Sequence, residues 1–501
     1  MSDGTYQPRW LLLPVYLIIV LLICLVGLIQ TANAASTKPQ GEWSQIYTWP
    51  DVAIHLSLLP DGKVVSFSDD DHGEYHTKGT RAADFSKGFV VDIPINGEPL
   101  TGDAAYIPNR STNLFCSGHS LLPDGRLFIS GGHEGKDHLG SQDITILNKS
   151  NGQYVWGTQS AKMAYGRWYP TVLTLANGEM LMLAGSRTTS ADENPLPEVW
   201  KVGGGIRALT AAVRDNIPYF PNLHVAPNGK TFMAGPSQAT SYLTTSGTGS
   251  WSAGPARKVA NRRYGPSVMY APGKILMAGG GDPATKTAEI INLGATSPSW
   301  TYTNSMAYAR RHHNATILPD GKVLVTGGTA ASNDETKAVF AAEVWDPAIG
   351  GWITMASMKV PRLYHSSALL LPDGRVLSSG GGRGSGGKDY KNAEIFSPPY
   401  LFDGSRPTIE SSPASANYGQ TFFVGTPNVS AITKVSLIKL GSTTHTNNMN
   451  QLINFPSFTK ATNGLNVALA TNRNAFTPGH YLLFILNSNG VPSIAKVIHI
   501  S

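Results

Sequence analysis

The feature that most limits the possible fold is a tight-turn signal that returns seven times along the 501 residues. Each copy joins two short apolar, β-rich runs and ends in glycine, most often as Asp-Gly or Asn-Gly. The turns lie at Asp61-Gly62, Asp124-Gly125, Asn177-Gly178, Asn228-Gly229, Pro272-Gly273, Asp320-Gly321 and Asp373-Gly374. Asp-Gly and Asn-Gly favour hairpins because these turns need positive φ, and a spacing near ~50 residues is that of kelch-type propeller blades. The sequence therefore predicts seven blades.

A glycine pair follows the second run in most of these units. The pairs are Gly131-Gly132, Gly279-Gly280, Gly327-Gly328 and Gly380-Gly381. Glycine lets two backbones approach where side chains would clash, so we interpret the pairs as architectural and give them no phosphate-binding role. The high glycine count of 53, with only 14% charged residues and almost no helical periodicity, also favours an all-β protein.

The last hundred residues differ in character from the repeats. A loop-like stretch, Asp403-Gly404-Ser405-Arg406-Pro407, follows the last unit, after which short strands occur at irregular spacing without the repeated turn. The sequence therefore predicts a seven-bladed kelch-type propeller over residues 40–404. An immunoglobulin-like β-sandwich is predicted over 405–501.

The N-terminus predicts export. Residues 11–29 are apolar apart from Pro14, and Ala32-Asn33-Ala34 fits signal cleavage. Because the apolar run is close to the shortest that spans a bilayer, residues 1–35 are either a signal peptide or an N-terminal membrane anchor. The protein is thus expected to be secreted or membrane-anchored, with its globular part outside the cytoplasm.

Charge and cysteine content narrow the function classes. The net charge of +6 is spread along the chain without a Lys/Arg block, which argues against nucleic-acid binding and leaves attraction to a cell-surface glycan open. Cys24 lies in the N-terminal apolar run, so the body has one thiol, Cys116, and no intramolecular disulfide. An isolated cysteine of this kind is more often a small buried residue than a reactive one.

The candidate site residues lie just before the hairpins. In a propeller the ends of the inner strands surround one opening on the central axis, the axial mouth, so residues at these positions can meet there. The segments are Phe115-Cys116-Ser117-Gly118, Arg167-Trp168-Tyr169-Pro170 and Leu363-Tyr364-His365-Ser366. Two phenols and an imidazole suit a tetragonal Cu(II) site better than a zinc site.

Several segments together resemble one enzyme family. They are Phe115-Cys116, Arg167-Trp168-Tyr169, Ala234-Gly235-Pro236-Ser237, Arg362 to Ser366, Leu370 to Arg375, Thr444-His445-Thr446 and Asn487 to Ser493. In this order they resemble the copper radical oxidases of the galactose oxidase and glyoxal oxidase family, from about residue 40 to the C-terminus. The resemblance implies a thioether between Cys116 and Tyr169, equatorial copper ligands Tyr169, His365 and His445, and Tyr364 as the axial ligand.

The resemblance also implies a reaction. A small aldehyde or primary alcohol would lose a proton to Tyr364, a hydrogen atom to a thioether-linked Tyr169 radical and an electron to copper, and O2 would become H2O2. Galactose is disfavoured as a substrate, because there is no room for the N-terminal carbohydrate-binding domain of galactose oxidase. The tryptophan that shields its thioether is also missing from Ala184 to Thr188. Trp168 is one candidate to replace it.

Most of the remaining histidines are predicted to be structural. His480 precedes an apolar strand and is predicted to be structural, while His55 and His119 are predicted to be surface or hydrogen-bonded core residues. His312 and His313 are either of that kind or substrate contacts at the mouth. The competing function is a catalytically silent propeller that binds glycans or a partner at the cell surface. The joint presence of the five resemblance-based site residues argues against it.

Overall fold

The computed structural model describes Met1 and residues 38–69, 85–95, 104–135, 138–382 and 388–501. The predicted export segment, residues 1–35, lies outside this range except for Met1. Among the described residues, no helix combines the length and the apolar composition that a membrane span requires. The helices of this part are short 3₁₀ turns at Thr210–Ala212, Glu335–Lys337, Pro399–Phe402 and Val429–Ala431.

Short antiparallel strands make up the first four hundred residues. The first of them are β1 (Glu42–Trp43), β2 (Tyr47–Thr48), β3 (His55–Leu58), β4 (Val64–Phe67), β5 (Gly88–Val91), β6 (Ala104–Tyr106), β7 (Gly118–Leu121), β8 (Leu127–Ser130), β9 (Ile144–Ser150), β10 (Gln153–Thr158), β11 (Thr171–Thr174), β12 (Met180–Leu183), β13 (Glu198–Lys201) and β14 (Gly205–Ala208). They are followed by β15 (Asn222–Val225), β16 (Thr231–Gly235), β17 (Ser241–Thr244), β18 (Ser250–Ala253), β19 (Ser267–Ala271), β20 (Lys274–Ala278), β21 (Ala288–Asn292), β22 (Thr301–Thr303), β23 (Arg311–Ile317), β24 (Val323–Thr329), β25 (Ala341–Asp346), β26 (Gly351–Ser357), β27 (Ser366–Leu370), β28 (Val376–Gly380) and β29 (Asn392–Ser397).

These strands form the seven predicted blades. The first blade is β3 to β6, and the next five are β7–β10, β11–β14, β15–β18, β19–β22 and β23–β26. The seventh blade contains β27, β28 and β29, and the N-terminal β1 and β2 complete it by pairing with β29, as in Trp43 opposite Phe396. Closing the last blade with the start of the chain leaves no open edge between the two ends of the ring. The fold-class prediction is confirmed.

The seven turn signals join the first two strands of the seven blades. All seven turn glycines have positive φ, with values from 71° at Gly273 to 95° at Gly321. An L-residue with a side chain is strained in this region, which is why the turn sequence ends in glycine each time. The hairpins predicted from Asp-Gly, Asn-Gly and Pro-Gly are therefore present.

A buried arginine connects neighbouring blades. Arg310 donates from Nη1 to the Gly327 carbonyl at 2.9 Å and from Nη2 to Glu343 at 2.5 Å, all within its own blade. Its carbonyl accepts the N–H of Gly280 in the preceding blade at 2.8 Å, and a Cβ on Gly279 would lie 2.5 Å from the same oxygen. The glycine pair thus permits a close backbone contact, as predicted. Related arginine–glutamate pairs recur in other blades, namely Arg167 with Glu198, Arg262 with Glu289, and Arg362 with Glu394.

The C-terminal part is a β-sandwich with its own core, as predicted. Its strands are β30 (Ser415–Ala416), β31 (Thr421–Gly425), β32 (Ile432–Lys439), β33 (Ser442–Thr444), β34 (Asn447–Asn448), β35 (Ile453–Asn454), β36 (Ser457–Ala461), β37 (Gly464–Ala468), β38 (Gly479–Asn487) and β39 (Lys496–Ile500). One sheet has the order β30-β39-β38-β32-β35 and the other β31-β37-β36. Leu437, Leu465 and Leu483 are fully buried between them.

One hairpin of this region joins the propeller instead of the sandwich. Strands β33 and β34 extend the sheet of the first blade, with β33 antiparallel to β3 so that Thr443 lies opposite Leu56 and Thr444 opposite His55. His445 lies at the tip of the hairpin, between its two strands. The C-terminal region therefore delivers this histidine to the innermost strand of the propeller.

Candidate metal centre

Six blades carry a residue with an unusual backbone conformation near the start of their innermost strand: five precede the strand by one to three positions, and His312 is the second residue of β23. These residues, called the rim residues here, are Cys116, Tyr169, Phe220, Tyr264, His312 and His365, and each stands nine positions before its turn glycine. Their φ values run from 44° at Phe220 to 68° at Tyr169. Positive φ is strained for residues other than glycine and clusters at functional sites, because the rest of the fold must enforce it.

Backbone hydrogen bonds link rim residues of neighbouring blades. The N–H of Tyr169 donates to the carbonyl of Cys116 at 3.0 Å, and the N–H of Phe220 donates to the carbonyl of Tyr169 at 3.0 Å. His312 donates in the same way to Tyr264 at 2.9 Å. These three bonds hold the linked rim residues in one orientation around the axis, so side chains distant in sequence meet at the mouth.

The first blade differs from the other six. Its equivalent position is Ala53, a small and fully buried residue, and the β33–β34 hairpin packs along the adjoining strand β3. His445 at the hairpin tip has φ 47° and the following Thr446 has φ 71°. A histidine from the C-terminal region thus occupies the part of the mouth that the first blade leaves without a large side chain.

The structure brings together all five site residues that the sequence singled out. The hydroxyl groups of Tyr169 and Tyr364 are in direct contact, and Cys116 Sγ lies 3.8 Å from His445 Nε2. The ring centroid of His445 is 4.6 Å from that of Tyr169 and 4.5 Å from that of His365. The ligating atoms of Cys116, His365 and His445 all lie within 4.8 Å of one another, close enough to hold one ion.

Neighbouring groups orient both imidazoles. His365 Nδ1 is 2.7 Å from the Gly382 carbonyl, which can only accept, so Nδ1 carries the proton and Nε2 the lone pair. His445 Nδ1 is 2.6 Å from the Thr444 hydroxyl, and its Nε2 faces Cys116. An outer partner on one ring nitrogen is the usual way in which a protein presents the other nitrogen to a metal.

Burial favours the neutral forms of these groups. It is the largest cause of the raised pKa of Tyr169, followed by Cys116 and Tyr364. It likewise lowers the pKa of His445 well below the ordinary value, with His365 as the next cause. Neutral imidazole is the metal-binding form, whereas a phenolate at Tyr169 needs a cation beside it. The site therefore suits a metal ion and is unfavourable for isolated phenolate or imidazolium.

Trp168 covers one face of the Tyr169 ring. The two ring centroids are 3.6 Å apart and the planes differ by only 7°. Trp168 is itself buried, and an edge of His138 packs against it at 4.3 Å. The sequence left open which residue shields this phenol, and the structure assigns the stack to the residue directly before it.

The other histidines lie in different surroundings. His480 is on β38, where its ring packs on His499 at 4.8 Å and beside the Gly125 turn. Burial is the first cause of its pKa, which is lowered to about 4. His119 is fully buried, and its Nδ1 is hydrogen-bonded to the hydroxyls of Ser57 and Ser442.

His312, by contrast, faces the centre, with its ring 5.3 Å from that of Tyr364 and 4.2 Å from that of Tyr264. The adjacent His313 is fully buried next to Gly279. Of the paired histidines, the structure therefore brings only the first beside the predicted axial residue.

The open side of the centre is a narrow aromatic cavity. It is lined by Tyr169, Tyr219, Phe220, Asn222, Pro236, Arg263, Tyr264, Gly265, His445 and Thr446, and leaves about 20 Å³ for the centre of a water-sized molecule. Sequence reasoning missed Tyr219, Phe220 and Tyr264. The signal was available for the last two, because each stands at the same distance before its turn glycine as Cys116 and Tyr169.

Comparisons with known proteins show that the chain is similar to galactose oxidases and to glyoxal or aldehyde oxidases. The profile "Galactose oxidase-like, Early set domain" matches residues 406–500, and "Glyoxal oxidase N-terminus" matches residues 275–400. Galactose oxidase of Gibberella zeae is 30% identical over 95% of this chain and 73% of its own length. Aldehyde oxidase GLOX of Vitis pseudoreticulata is 27% identical over 78% of this chain and 82% of its own length.

The fold of the chain is also similar to that of a solved structure from a related enzyme. It is described as a novel fungal alcohol oxidase with catalytic diversity among the AA5 family, in complex with copper. The match covers 92% of this chain and 100% of the solved chain, at 26% sequence identity and a TM-score of 0.81.

Proposed function

Because the chain belongs to the galactose oxidase and glyoxal oxidase family of copper radical oxidases, we propose that it oxidises small aldehydes or primary alcohols and reduces O2 to H2O2. The chain is a copper-dependent oxidase, and the proposal concerns its substrate class and the residues that act. The observation that carries it is the meeting of Cys116, Tyr169, Tyr364, His365 and His445 at one buried centre.

The donor set fits copper. Two phenol oxygens and two imidazole nitrogens suit tetragonal Cu(II), and both imidazoles have outer hydrogen-bond partners that present Nε2. In the proposed site Tyr169, His365, His445 and Tyr364 would hold the copper ion. Copper bound there supplies a one-electron acceptor beside the Tyr169 phenol.

The second one-electron acceptor is proposed to be Tyr169 itself, joined to Cys116 by a thioether and oxidised to a phenoxyl radical. The fully buried thiol supports this role, because Cys116 shares with Tyr169 a backbone hydrogen bond and a place on the rim. The indole of Trp168 stacks on the phenol and excludes water from that face. The shield thus comes from the neighbouring residue rather than from the segment Ala184 to Thr188.

The proton and the hydrogen atom go to different phenols. Tyr364 is the less buried of the two; as a phenolate held by bound copper, it would take the hydroxyl proton of the substrate on Oη and become a neutral phenol. Tyr169, whose hydroxyl touches that of Tyr364, would receive the hydrogen atom of the substrate carbon on its oxygen if it is oxidised to the proposed radical. A hydrated aldehyde presents the same H–C–O–H arrangement as a primary alcohol, so one geometry serves both substrates.

The shape of the cavity supports a small substrate. Phe220 packs against both Tyr169 and His445, with ring centroids 4.7 Å and 4.6 Å away, and Tyr264 closes another side. These aromatic walls leave little space beside the polar side chains of Asn222, Arg263 and Thr446. Glyoxal-like aldehydes therefore fit better than a hexose.

The place of action is a separate proposal that rests on the sequence. An apolar run followed by Ala32-Asn33-Ala34 supports export, either as a secreted protein or with residues 11–29 as an anchor. Binding of a cell-surface glycan is a further proposal, which rests on the net charge of +6.

Peroxide release tests the proposal. Copper-loaded protein is assayed with glyoxal, methylglyoxal, glycolaldehyde, galactose and benzyl alcohol, and we expect turnover with the small aldehydes to exceed that with galactose. Tyr169→Phe should abolish peroxide release, whereas Tyr165→Phe, a change at an exposed phenol nearby, should preserve it. No peroxide from any of these compounds, with one copper ion bound per chain, would overturn the proposal.

A further inference from the structure

The backbone N–H of Cys116 has an acceptor of a different kind from its neighbours on the rim. Tyr169 and Phe220 each donate their N–H to the carbonyl of the preceding rim residue at 3.0 Å. Cys116 follows the first blade, and its N–H donates to His55 Nε2 at 3.2 Å. The acceptor for the Cys116 N–H is therefore a side chain of β3, whereas in the next two blades the acceptor is a backbone carbonyl.

The geometry fixes the state of this imidazole. A backbone amide can only donate, so Nε2 of His55 carries the lone pair and the ring proton is on Nδ1. The ring is stacked on Phe67, its cross-strand neighbour, with centroids 4.5 Å apart and planes 2° apart. The edge of His119 closes a second side at 5.1 Å. With full burial, these contacts leave the ring little freedom to turn.

Two hydrogen bonds thus bracket the Cys116 peptide, one from its N–H to His55 and one to its carbonyl from the N–H of Tyr169. Cys116 has φ 60°, a conformation that a non-glycine residue keeps only when its surroundings enforce it. The direction of the Cα–Cβ bond, from which Sγ extends, follows from that conformation. Without His55, the buried N–H would lack this acceptor and the local backbone would lose a restraint.

We propose that His55 is a positioning residue for formation of the Cys116–Tyr169 thioether. It holds the Cys116 backbone so that Sγ faces the Tyr169 ring when the bond forms. The inference rests on the proposed function, since it presupposes the thioether. His55 itself touches neither substrate nor the reacting carbon.

The reaction that His55 assists is an oxidation. A bond forms between Cys116 Sγ and a ring carbon of Tyr169, while the S–H bond and one aromatic C–H bond break. The two electrons and two protons released reduce one O2 to H2O2, so O2 is the oxidant and atoms and charge balance. Positioning matters because the sulfur must already point at the ring when the reactive state is reached.

Three variants separate the hydrogen bond from packing. His55→Phe keeps a ring against Phe67 but has no acceptor, whereas His55→Gln keeps an acceptor at similar reach and loses the stack. His119→Phe is the matched control, because His119 is equally buried and its hydrogen bonds go to Ser57 and Ser442. Protein made without copper is given copper and O2, and the faster-migrating cross-linked band is followed in time on denaturing gels.

We expect His55→Phe to cross-link about tenfold more slowly than the unaltered protein, the usual effect of removing one hydrogen-bond partner. His55→Gln and His119→Phe should stay within a few-fold of the unaltered rate. If His55→Phe does not fold, His55→Asn, whose shorter side chain cannot reach the amide, replaces it and should be slower than His55→Gln.

The outcomes distinguish the two proposals. An unaltered rate in the acceptor-free variant, or equal slowing of His55→Gln and His119→Phe, would assign His55 a packing role and overturn the inference alone. Absence of any cross-link in the unaltered protein would overturn the proposed cofactor and the inference with it.

Discussion

Exchange of two histidines in the C-terminal region tests how the centre is assembled. His445 is buried at the tip of the β33–β34 hairpin, with Nε2 turned toward Cys116 and its ring against Tyr169. His480 is half-buried on β38 against His499. Replacing each by alanine removes the same imidazole from the same region. Only His445→Ala should affect copper.

The magnitudes differ enough to be measured. Changing a residue that merely orients a metal ligand typically costs 10–100-fold in affinity, so loss of the proposed ligand His445 should weaken copper binding by more than about 100-fold and abolish turnover. His480→Ala should keep one copper ion per chain and cost about 1 kcal/mol of unfolding free energy, from one lost ring contact. Copper titration followed by spin resonance gives the affinity, and chemical denaturation gives the stability. Full copper binding by His445→Ala, with loss in His480→Ala, would refute the assignment.

Three further predictions concern stability and the radical. Burial lowers the pKa of Lys439 to about 7, so above that pH the unfolded chain binds more protons than the folded protein does. The charged lysine therefore destabilises the fold most at low pH. Lys439→Met should stabilise the protein by up to about 5 kcal/mol at pH 6, and this gain should fade toward pH 10. A denaturation midpoint that responds equally at both pH values would contradict this. Arg310→Met leaves the buried Glu343 carboxylate without its charge partner and should cost about 3–5 kcal/mol in urea unfolding; a loss below about 1 kcal/mol would show that this pair does not stabilise its blade. Trp168→Leu removes the ring stacked on Tyr169 and should shorten the lifetime of the absorbance of the proposed Tyr169 radical about tenfold, while an unchanged lifetime would show that the indole is no shield.

The seven-bladed propeller was predictable because each blade needs a particular residue type at one turn, and this requirement is visible in the local sequence. A turn that requires positive φ favours glycine at a fixed place, and the seven turn glycines do have φ between 71° and 95°. The turn glycine also locates the site residues in the sequence, since Cys116, Tyr169 and His365 each stand nine positions before it. Phe220 and Tyr264 could have been found by the same rule. They were missed because a resemblance-based search asks for ligands, and neither residue supplies one.

Other features depend on contacts that no local pattern encodes. Trp168 precedes Tyr169 in the chain, yet its stack on the phenol follows from how the third blade begins and from the packing of His138. His55 looked like an ordinary core histidine, as did His119, and its role depends on a hydrogen bond from the Cys116 amide, 61 positions away in the chain. The position of His445 likewise depends on the pairing of β33 with β3. Pairing between strands almost four hundred residues apart leaves no periodic signal in the sequence.

The most direct test of the central claim is the mass of the peptides that contain Cys116 and Tyr169. Protein exposed to copper and O2, then reduced, denatured and digested, should yield one linked species two hydrogen masses lighter than the sum of the two separate peptides. The link should survive reductant and be missing from Cys116→Ala. Separate peptides with a free Cys116 thiol, from protein that holds one copper ion per chain, would contradict the assignment of the radical cofactor.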